Sequence, residues 1–256
     1  MKDLTIIIPI HKFNEDISNL LFNALNSVKS MKNINDAKIS VVAPKEVISE
    51  IKKTINDNDI IYIKNDKDID FYSQVNLAAK ECNTKYFSIL EFDDKYHENW
   101  ILNFEKYAPF HNDVSVFMPL TELIDSNGKI MGFINEVTLA SSFSNELGFL
   151  DLDCLQVYMD FNVTGSIIRT EDFNEIGGLK SSLKLASWYE FLMRLCYNGK
   201  KIYTIPKVGY SHMVNRDDSL MKYYQKEIST EEGAWLIKTA KQEYFFKEDR
   251  KKEFKK

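Results

Sequence analysis

Three acidic side chains fall within four residues, Glu91, Asp93 and Asp94, directly after the apolar run Tyr86-Phe87-Ser88-Ile89-Leu90. Such crowding is repulsive unless a cation neutralises it, and Mg²⁺ or Mn²⁺ is typically held by one or two carboxylates together with substrate phosphates. The segment therefore offers a metal-nucleotide site, although a solvated acidic turn has the same composition. If the chain stays extended here, alternation puts Glu91 and Asp93 on one side, about 6.5 to 7 Å apart along the backbone, with Phe92 turned into the core. Arg216 lies in Asn215-Arg216-Asp217-Asp218, and the chain has only four arginines against 29 lysines. A guanidinium there suits bidentate phosphate binding, or an ion pair with Asp217 or Asp218. Gly177-Gly178 spends two of nine glycines side by side. Without Cβ atoms the pair permits close backbone approach to a bound group, or a plain helix stop. His11, in the loop after Pro9, has a ring able to stack or hydrogen-bond, or is simply a surface residue.

Those residues need elements to position them. Leu4-Thr5-Ile6-Ile7-Ile8-Pro9 lacks polar alternation, as a strand buried on both faces of a parallel sheet does. From Glu15 to Met31, apolar residues recur at helical spacing, and Lys38 to Ala43 reads as a strand closed by Pro44. Lys45 to Ile55 reads as a helix, Ile60 to Ile63 as a strand, Asp70 to Lys80 as a helix and Tyr86 to Leu90 as the next strand. Strands alternating with helices specify a parallel α/β sheet, whose ligands bind beyond the carboxyl ends of the strands, where Glu91, Asp93 and Asp94 fall. Further on, the pattern predicts a helix over Trp100 to Tyr107, a strand over Val114 to Met118, a turn at Asp125 to Gly128 and a strand over Phe161 to Arg169. A helical turn over Glu171 to Ile176, a helix over Ser187 to Tyr197, a strand over Ile202 to Ile205 and a helix over Tyr223 to Phe246 complete the reading. Thr138 to Asp160 shows no motif.

The chain has 256 residues, with 44% hydrophobic and 28% charged, which excludes collagenous, disordered and disulfide-scaffold classes. A net charge of -5 argues against a protein that coats nucleic acid. Cys82, Cys154 and Cys196 are odd in number and widely spaced, so they define neither a disulfide framework nor a zinc site. The opening apolar run is too short for a signal peptide, and no stretch is long enough to span a bilayer. A soluble cytoplasmic protein is expected, and the single sequon, Asn162-Val163-Thr164, then reads as chance.

Taken in order, several segments resemble the family 2 glycosyltransferases: Thr5-Ile6-Ile7-Ile8-Pro9; Gln74-Val75-Asn76-Leu77-Ala78-Ala79; Ile89-Leu90-Glu91-Phe92-Asp93-Asp94, similar to the DxD motif; Phe173-Asn174-Glu175-Ile176-Gly177-Gly178-Leu179; and Trp188-Tyr189-Glu190-Phe191-Leu192-Met193-Arg194 followed by Gly199, Lys201 and Ile202. The resemblance covers roughly residues 3 to 220. It implies a GT-A (nucleotide-diphospho-sugar transferase) fold, a single Rossmann-like mixed sheet flanked by helices, over about 1–220. The nucleotide-binding half would be about 1–97, the acceptor half about 98–220, and 221–256 a helical extension with a basic tail. It implies Mn²⁺ or Mg²⁺ held by Asp93 and His212, Glu91 directed to the ribose or sugar, and Asp94 beside them as a catalytic residue. Pro9, His11, Asn76, Gly178, Trp188 and Arg216 would border the donor, most readily a UDP-sugar. Trp188 is a platform for a sugar ring or a core residue.

Two departures matter. The second strand ends Val42-Ala43-Pro44 where the family commonly has an acid for the nucleobase, so base recognition must differ. Ser187-Trp188 stands where the family carries its catalytic acid, which leaves Glu190 as base if the register is slipped. Glu190 lies about 200° around the helix from Trp188. Otherwise Asp160 or Asp172 serves, or activity is lost. The implied reaction is inverting transfer of a sugar to an acceptor hydroxyl. Rivals are a nucleotidyltransferase, which lacks its glycine-rich triphosphate loop here; a degenerate nucleotide-sugar-binding protein; and transfer to a hydroxylated base in nucleic acid, disfavoured by charge. The end from Tyr244-Phe245-Phe246 to Lys256, with residues 247–256 at net +3, is a solvated helix tail or a peripheral contact with a membrane, partner or nucleic acid.

Overall fold

The computed structural model describes all residues except 56, 67–69, 217–218 and 254–256. The amino-terminal part is a βα alternation. It runs β1 (Leu4–Pro9), α1 (Glu15–Ser30), β2 (Lys38–Ala43), α2 (Lys45–Thr54), β3 (Ile60–Lys64), α3 (Phe71–Glu81) and β4 (Tyr86–Ile89). Every residue of β1 and β4 is buried, which is why these strands carry unbroken apolar runs rather than an alternating pattern. Polar side chains start the helices: Asn14 accepts from the Ile17 amide before α1, and Asp70 from the Tyr72 and Ser73 amides before α3.

The later part is mixed. It comprises β5 (Lys95–Tyr96), α4 (Trp100–Tyr107), β6 (Val114–Ile124), β7 (Ile130–Ile134), β8 (Phe149–Leu150), α5 (Leu152–Val157), β9 (Ile167–Arg169), α6 (Thr170–Glu175), α7 (Ser187–Tyr197), β10 (Lys201–Met213), α8 (Leu220–Glu227) and α9 (Thr230–Glu253). One sheet joins both parts in the order β3-β2-β1-β4-β9-β6-β10-β5, with β7 added to β6 and β8 to β10. β1, β2, β3 and β4 pair in parallel, β9 runs antiparallel between β4 and β6, and β10 returns parallel to β6. Two apolar cores cover the faces. One gathers Leu21, Leu25, Ile51, Trp100 and Phe104; the other Val75, Ala78, Phe173, Phe191, Leu195 and Ala240.

Four differences from the sequence pattern bear on the site. The strand expected over Phe161 to Arg169 is limited to Ile167–Arg169. Gly165 has φ +81°, and a Cβ there would lie 2.4 Å from the Tyr210 ring, so the chain turns beneath that ring before pairing begins. The acidic tip is also not extended: the Asp94 amide bonds the Glu91 carbonyl at 3.1 Å, closing a turn. β6 and β10 run far past the expected Val114 to Met118 and Ile202 to Ile205, because each is paired along its length with the other. Finally, the single helix expected over Tyr223 to Phe246 is two helices, since Ser229 starts α9 by accepting from the Glu232 amide.

Candidate functional site

β4 delivers Glu91, Asp93 and Asp94 to the carboxyl edge of the parallel strands, and the long β10 brings His212 to the same place. The turn makes the acids diverge. Asp94, buried, takes a 2.8 Å hydrogen bond between its Oδ2 and His212 Nδ1, while its Oδ1 accepts from the Met213 amide at 2.7 Å. Asp93 turns instead to Arg216, with Nη1 and Oδ2 3.0 Å apart, and that guanidinium lies 4.9 Å from the centre of the Phe92 ring. The Tyr210 hydroxyl accepts from the Glu91 amide at 3.1 Å and fixes the start of the turn. One ligand atom each from Glu91, Asp94 and His212 lies within 4.8 Å of the other two. The geometry groups the side chains differently from the expected pair of Asp93 and His212: His212 is joined to Asp94, and Asp93 is engaged by Arg216. The expectation that Glu91 and Asp93 share one side fails because the chain turns rather than continuing as a strand.

Electrostatics show how much positive charge this corner demands. Burial, then Asp94, push Glu91 up to about 8. Burial and Asp94 likewise raise Asp93 to about 6 against the lowering effect of Arg216. Burial works against a charged His212, but the Asp94 charge and hydrogen bond outweigh it and lift the imidazole to about 10. The protein thus neutralises its own acids with an imidazolium, a guanidinium and a retained proton. Two carboxylates and an imidazole that converge here fit a divalent ion such as Mn²⁺, which accepts both oxygen and nitrogen and would take the place of the protons on Glu91 and His212.

The corner opens on a cavity of about 410 Å³. Glu91, Asp93 and His212 line one side, Phe71, Tyr72, Leu185 and Trp188 another, and Asp160, Phe161 and Asn162 a third. Asn215, Ser219, Lys222 and Gln225 complete the wall, so the start of α8 is part of the site. Trp188 is held edge-on by Phe71, Tyr72 and Phe191, with ring centroids 5.9 to 6.4 Å away. Of the expected donor-binding residues, Trp188 lines this cavity and Arg216 reaches it through Asp93. Asp217 and Asp218, the alternative partners suggested for Arg216, lie outside the described residues.

Other expected site residues are placed elsewhere. Pro9 is buried at the end of β1 and His11 is exposed beyond it; neither lines the cavity. Asn76 is spent on a clamp: its Nδ2 donates to the Leu179 carbonyl and its Oδ1 accepts from the Leu179 amide, both at 2.7 Å. A Cβ at Gly178 would sit 2.4 Å from Asn76 Oδ1, so the glycine is needed to let α3 and the loop before α7 touch. Glu190 is turned to the far side of α7 from Trp188, as its position two residues later requires. It is 1% exposed, bonded through both oxygens to Arg194 at 3.0 Å, 2.7 Å from Lys180 Nζ, and hydrogen-bonded by the Tyr244 hydroxyl of α9. This carboxylate joins helices; it has no path to the cavity. Asp172 is likewise remote, held by Lys200, Arg169 and Ser115.

In the 160–165 loop the sequence offers Asp160 as an alternative base but reads Asn162-Val163-Thr164 as a chance sequon, which leaves the role of Asn162 and Thr164 unread. Thr164 donates to the Asn162 side-chain oxygen Oδ1 from both its amide and its hydroxyl. The Asn-x-Thr-Gly order was a legible turn signal. Lys222 was missed as well, since a lysine in a helix of mixed composition carries no signal of its own.

A parallel βα half, an antiparallel connection and a carboxyl-edge acid cluster under one continuous sheet define the GT-A fold, as the resemblance to family 2 glycosyltransferases implied. Solved structures with this arrangement include S. aureus TarS 1-349, at TM-score 0.61 and 16% identity, covering 82% of this chain and 60% of TarS 1-349. TarS 1-349 in complex with UDP-GlcNAc gives TM-score 0.66 at 15% identity over 93% of this chain and 65% of the other. The complex with UDP gives 0.60 at 15% identity over 92% and 69%. This chain thus spans less than two thirds of the first two. The sequence matches no family model and no curated relative. No helix among the described residues is long and apolar enough to cross a membrane.

Proposed function

We propose that the protein is a glycosyltransferase that moves a sugar from a UDP-sugar to an acceptor hydroxyl with inversion, with Mn²⁺ or Mg²⁺ at Glu91, Asp94 and His212. The observation that carries this reading is the convergence of those three ligands beside the cavity walled by Trp188, which Glu91 and His212 line. A bound cation supplies charge neutralisation for a diphosphate. Lys222 on the cavity wall, and Arg216 behind Asp93, add positive charge where the leaving group gains negative charge. Trp188 offers an apolar face to the sugar ring, and its aromatic neighbours fix its orientation. TarS in complex with UDP-GlcNAc, on the same fold, supports this choice of donor class.

The test is UDP binding by calorimetry with and without Mn²⁺, paired with UDP release from a panel of UDP-sugars. Expected are Mn²⁺-dependent binding, its loss in Asp94→Asn, and turnover of at least one donor. Binding unaffected by Mn²⁺ and by Asp94→Asn would refute the metal reading. Tight UDP binding without turnover of any donor or acceptor would make the protein a nucleotide-sugar-binding module instead.

A further inference from the structure

A sugar-transfer site needs a group to take the proton of the incoming hydroxyl, and α7 supplies none to the cavity: Ser187 is buried, Trp188 is apolar and Glu190 is bound into the Arg194 cluster. Among the described residues lining the cavity, the carboxylates are Glu91, Asp93 and Asp160. Glu91 belongs to the cation corner and Asp93 to Arg216. Asp160 is exposed, and no cation pairs with it among the described residues. Two positions on, Asn162 has its Oδ1 taken by Thr164, while its Nδ2 is buried without a hydrogen-bond partner among the described residues. A buried amide donor left unpaired is costly, and one that lines a cavity is satisfied when a ligand oxygen arrives.

The loop is built to hold this donor still. Asn135, 1% exposed and in the left-handed conformation at φ 73°, accepts from the Asn162 amide at 3.0 Å. Its own Nδ2 donates to the Asn162 carbonyl at 2.8 Å and to the Pro119 carbonyl at 2.9 Å. The loop's far end is tied down where Gly165 donates to the Ile89 carbonyl and accepts from the Trp100 indole. Backbone fixed on both sides holds Asn162 in the cavity wall with one buried side-chain donor unpaired, an arrangement that suits a ligand contact.

We infer that the 160–162 segment is the acceptor-side wall of the site: Asp160 takes the proton of the acceptor hydroxyl, and Asn162 Nδ2–H donates to an oxygen of the transferred sugar. The inference rests on the glycosyl-transfer reading. In the step, the acceptor O–H proton passes to the Asp160 carboxylate and the freed oxygen pair forms the new bond to the anomeric carbon. The bond from that carbon to the diphosphate oxygen breaks, and its electron pair leaves on UDP. Asp160 thereby replaces, from a different element, the acid missing from α7.

The experiment uses the full chain with Mn²⁺, UDP-GlcNAc or whichever UDP-sugar the wild type turns over best, and water as acceptor. Asp160→Asn is expected to lower kcat about 100-fold or more, within the range of general-base catalysis, and to leave the Kd for UDP unchanged. Azide needs no deprotonation. It should therefore restore UDP release by Asp160→Ala to within about tenfold of wild type, with the glycosyl azide as product, which a merely structural role would not give. Asn162→Ala should weaken UDP-sugar binding about tenfold while the Kd for UDP, which lacks the sugar, stays the same. Full kcat in Asp160→Asn, no azide rescue, or equal weakening of UDP and UDP-sugar by Asn162→Ala would overturn the assignment. A wild type that binds UDP but turns over no donor would refute the glycosyl-transfer reading and this assignment with it; an active wild type beside an active Asp160→Asn would refute the assignment alone.

Discussion

Binding of Mn²⁺ to the metal-free protein should expel protons, and the number can be worked out. Glu91 is held at about 8 and His212 at about 10, so at neutral pH both carry protons that a cation ligated by them must displace. Glu91 is then about nine-tenths protonated and His212 almost fully, so about two protons leave per ion at pH 7 and about one at pH 8.5. Removing them at pH 7 costs more for His212 than for Glu91, because the imidazole is held further above neutrality. Both costs shrink as pH rises, so the apparent affinity should climb by more than about tenfold between pH 7 and pH 8.5. Calorimetric titration of MnCl₂ in buffers of different ionisation enthalpy counts the protons directly. A count near zero at pH 7, or a flat affinity, would refute the claim that protons occupy the cation's place. The same values fix a sign for stability. Both folded-state values lie above the ordinary 4.5 and 6.5, so the folded protein binds more protons than the unfolded chain across the intervening range. The contribution of His212 is complete below about pH 6.5 and is lost as pH rises through 10. The penalty on Glu91 is absent below about pH 4.5 and complete above 8. In chelator the melting temperature should fall as pH rises from 5 to 10, and Mn²⁺ should flatten that fall.

Three more outcomes follow from the packing around the site. Gly165→Ala puts a methyl group 2.4 Å from the Tyr210 ring at a φ of +81°, which should cost about 2–5 kcal/mol by denaturant melt. It should also weaken Mn²⁺ binding, because Tyr210 anchors the Glu91 amide; unchanged stability would contradict the close approach. Glu190→Ala strands Lys180 and Arg194 and should cost about 3–5 kcal/mol, yet kcat measured well below the melting temperature should stay near wild type. A collapse of kcat in a stably folded variant would return Glu190 to the reaction. Trp188→Ala should raise KM for the UDP-sugar about tenfold while the Kd for UDP moves little; equal effects on both would mean that Trp188 braces the cavity rather than the sugar.

The βα half was legible because its signals are local. Unbroken apolar strands, helices with an Asn or Asp at the start, and Pro44 at the end of β2 each act within a few residues, and neighbouring parallel strands follow from their order. The 138–166 stretch was opaque because its short elements are held from outside. Asn135 clasps a loop 27 residues later, Thr138 hydrogen-bonds Thr204 across to β10, and β8 is two residues whose pairing comes from β10. Nothing in composition or period records such distant bonds, so the strand expected over Phe161 to Arg169 takes in six residues of a loop, two of which, Phe161 and Asn162, line the cavity.

The acid tip shows the same division at the site itself. That Glu91, Asp93 and Asp94 stand at a carboxyl edge followed from position along the chain; which of them meets His212 did not. The meeting joins residues 118 apart and depends on the parity of β10, where alternation is broken by register shifts at Ile205/Val208 and Val208/Tyr210. Each shift lets the strand change which side chains face the tip. Gly209 makes the second one feasible, since a Cβ there would lie 2.4 Å from the Trp100 indole. Tyr210, itself beneath β4 and fully buried, then supports Glu91, and His212 lands on Asp94 rather than Asp93. A strand of simple alternation and the same composition would have placed the imidazole differently, and the cation ligands would have been a different trio.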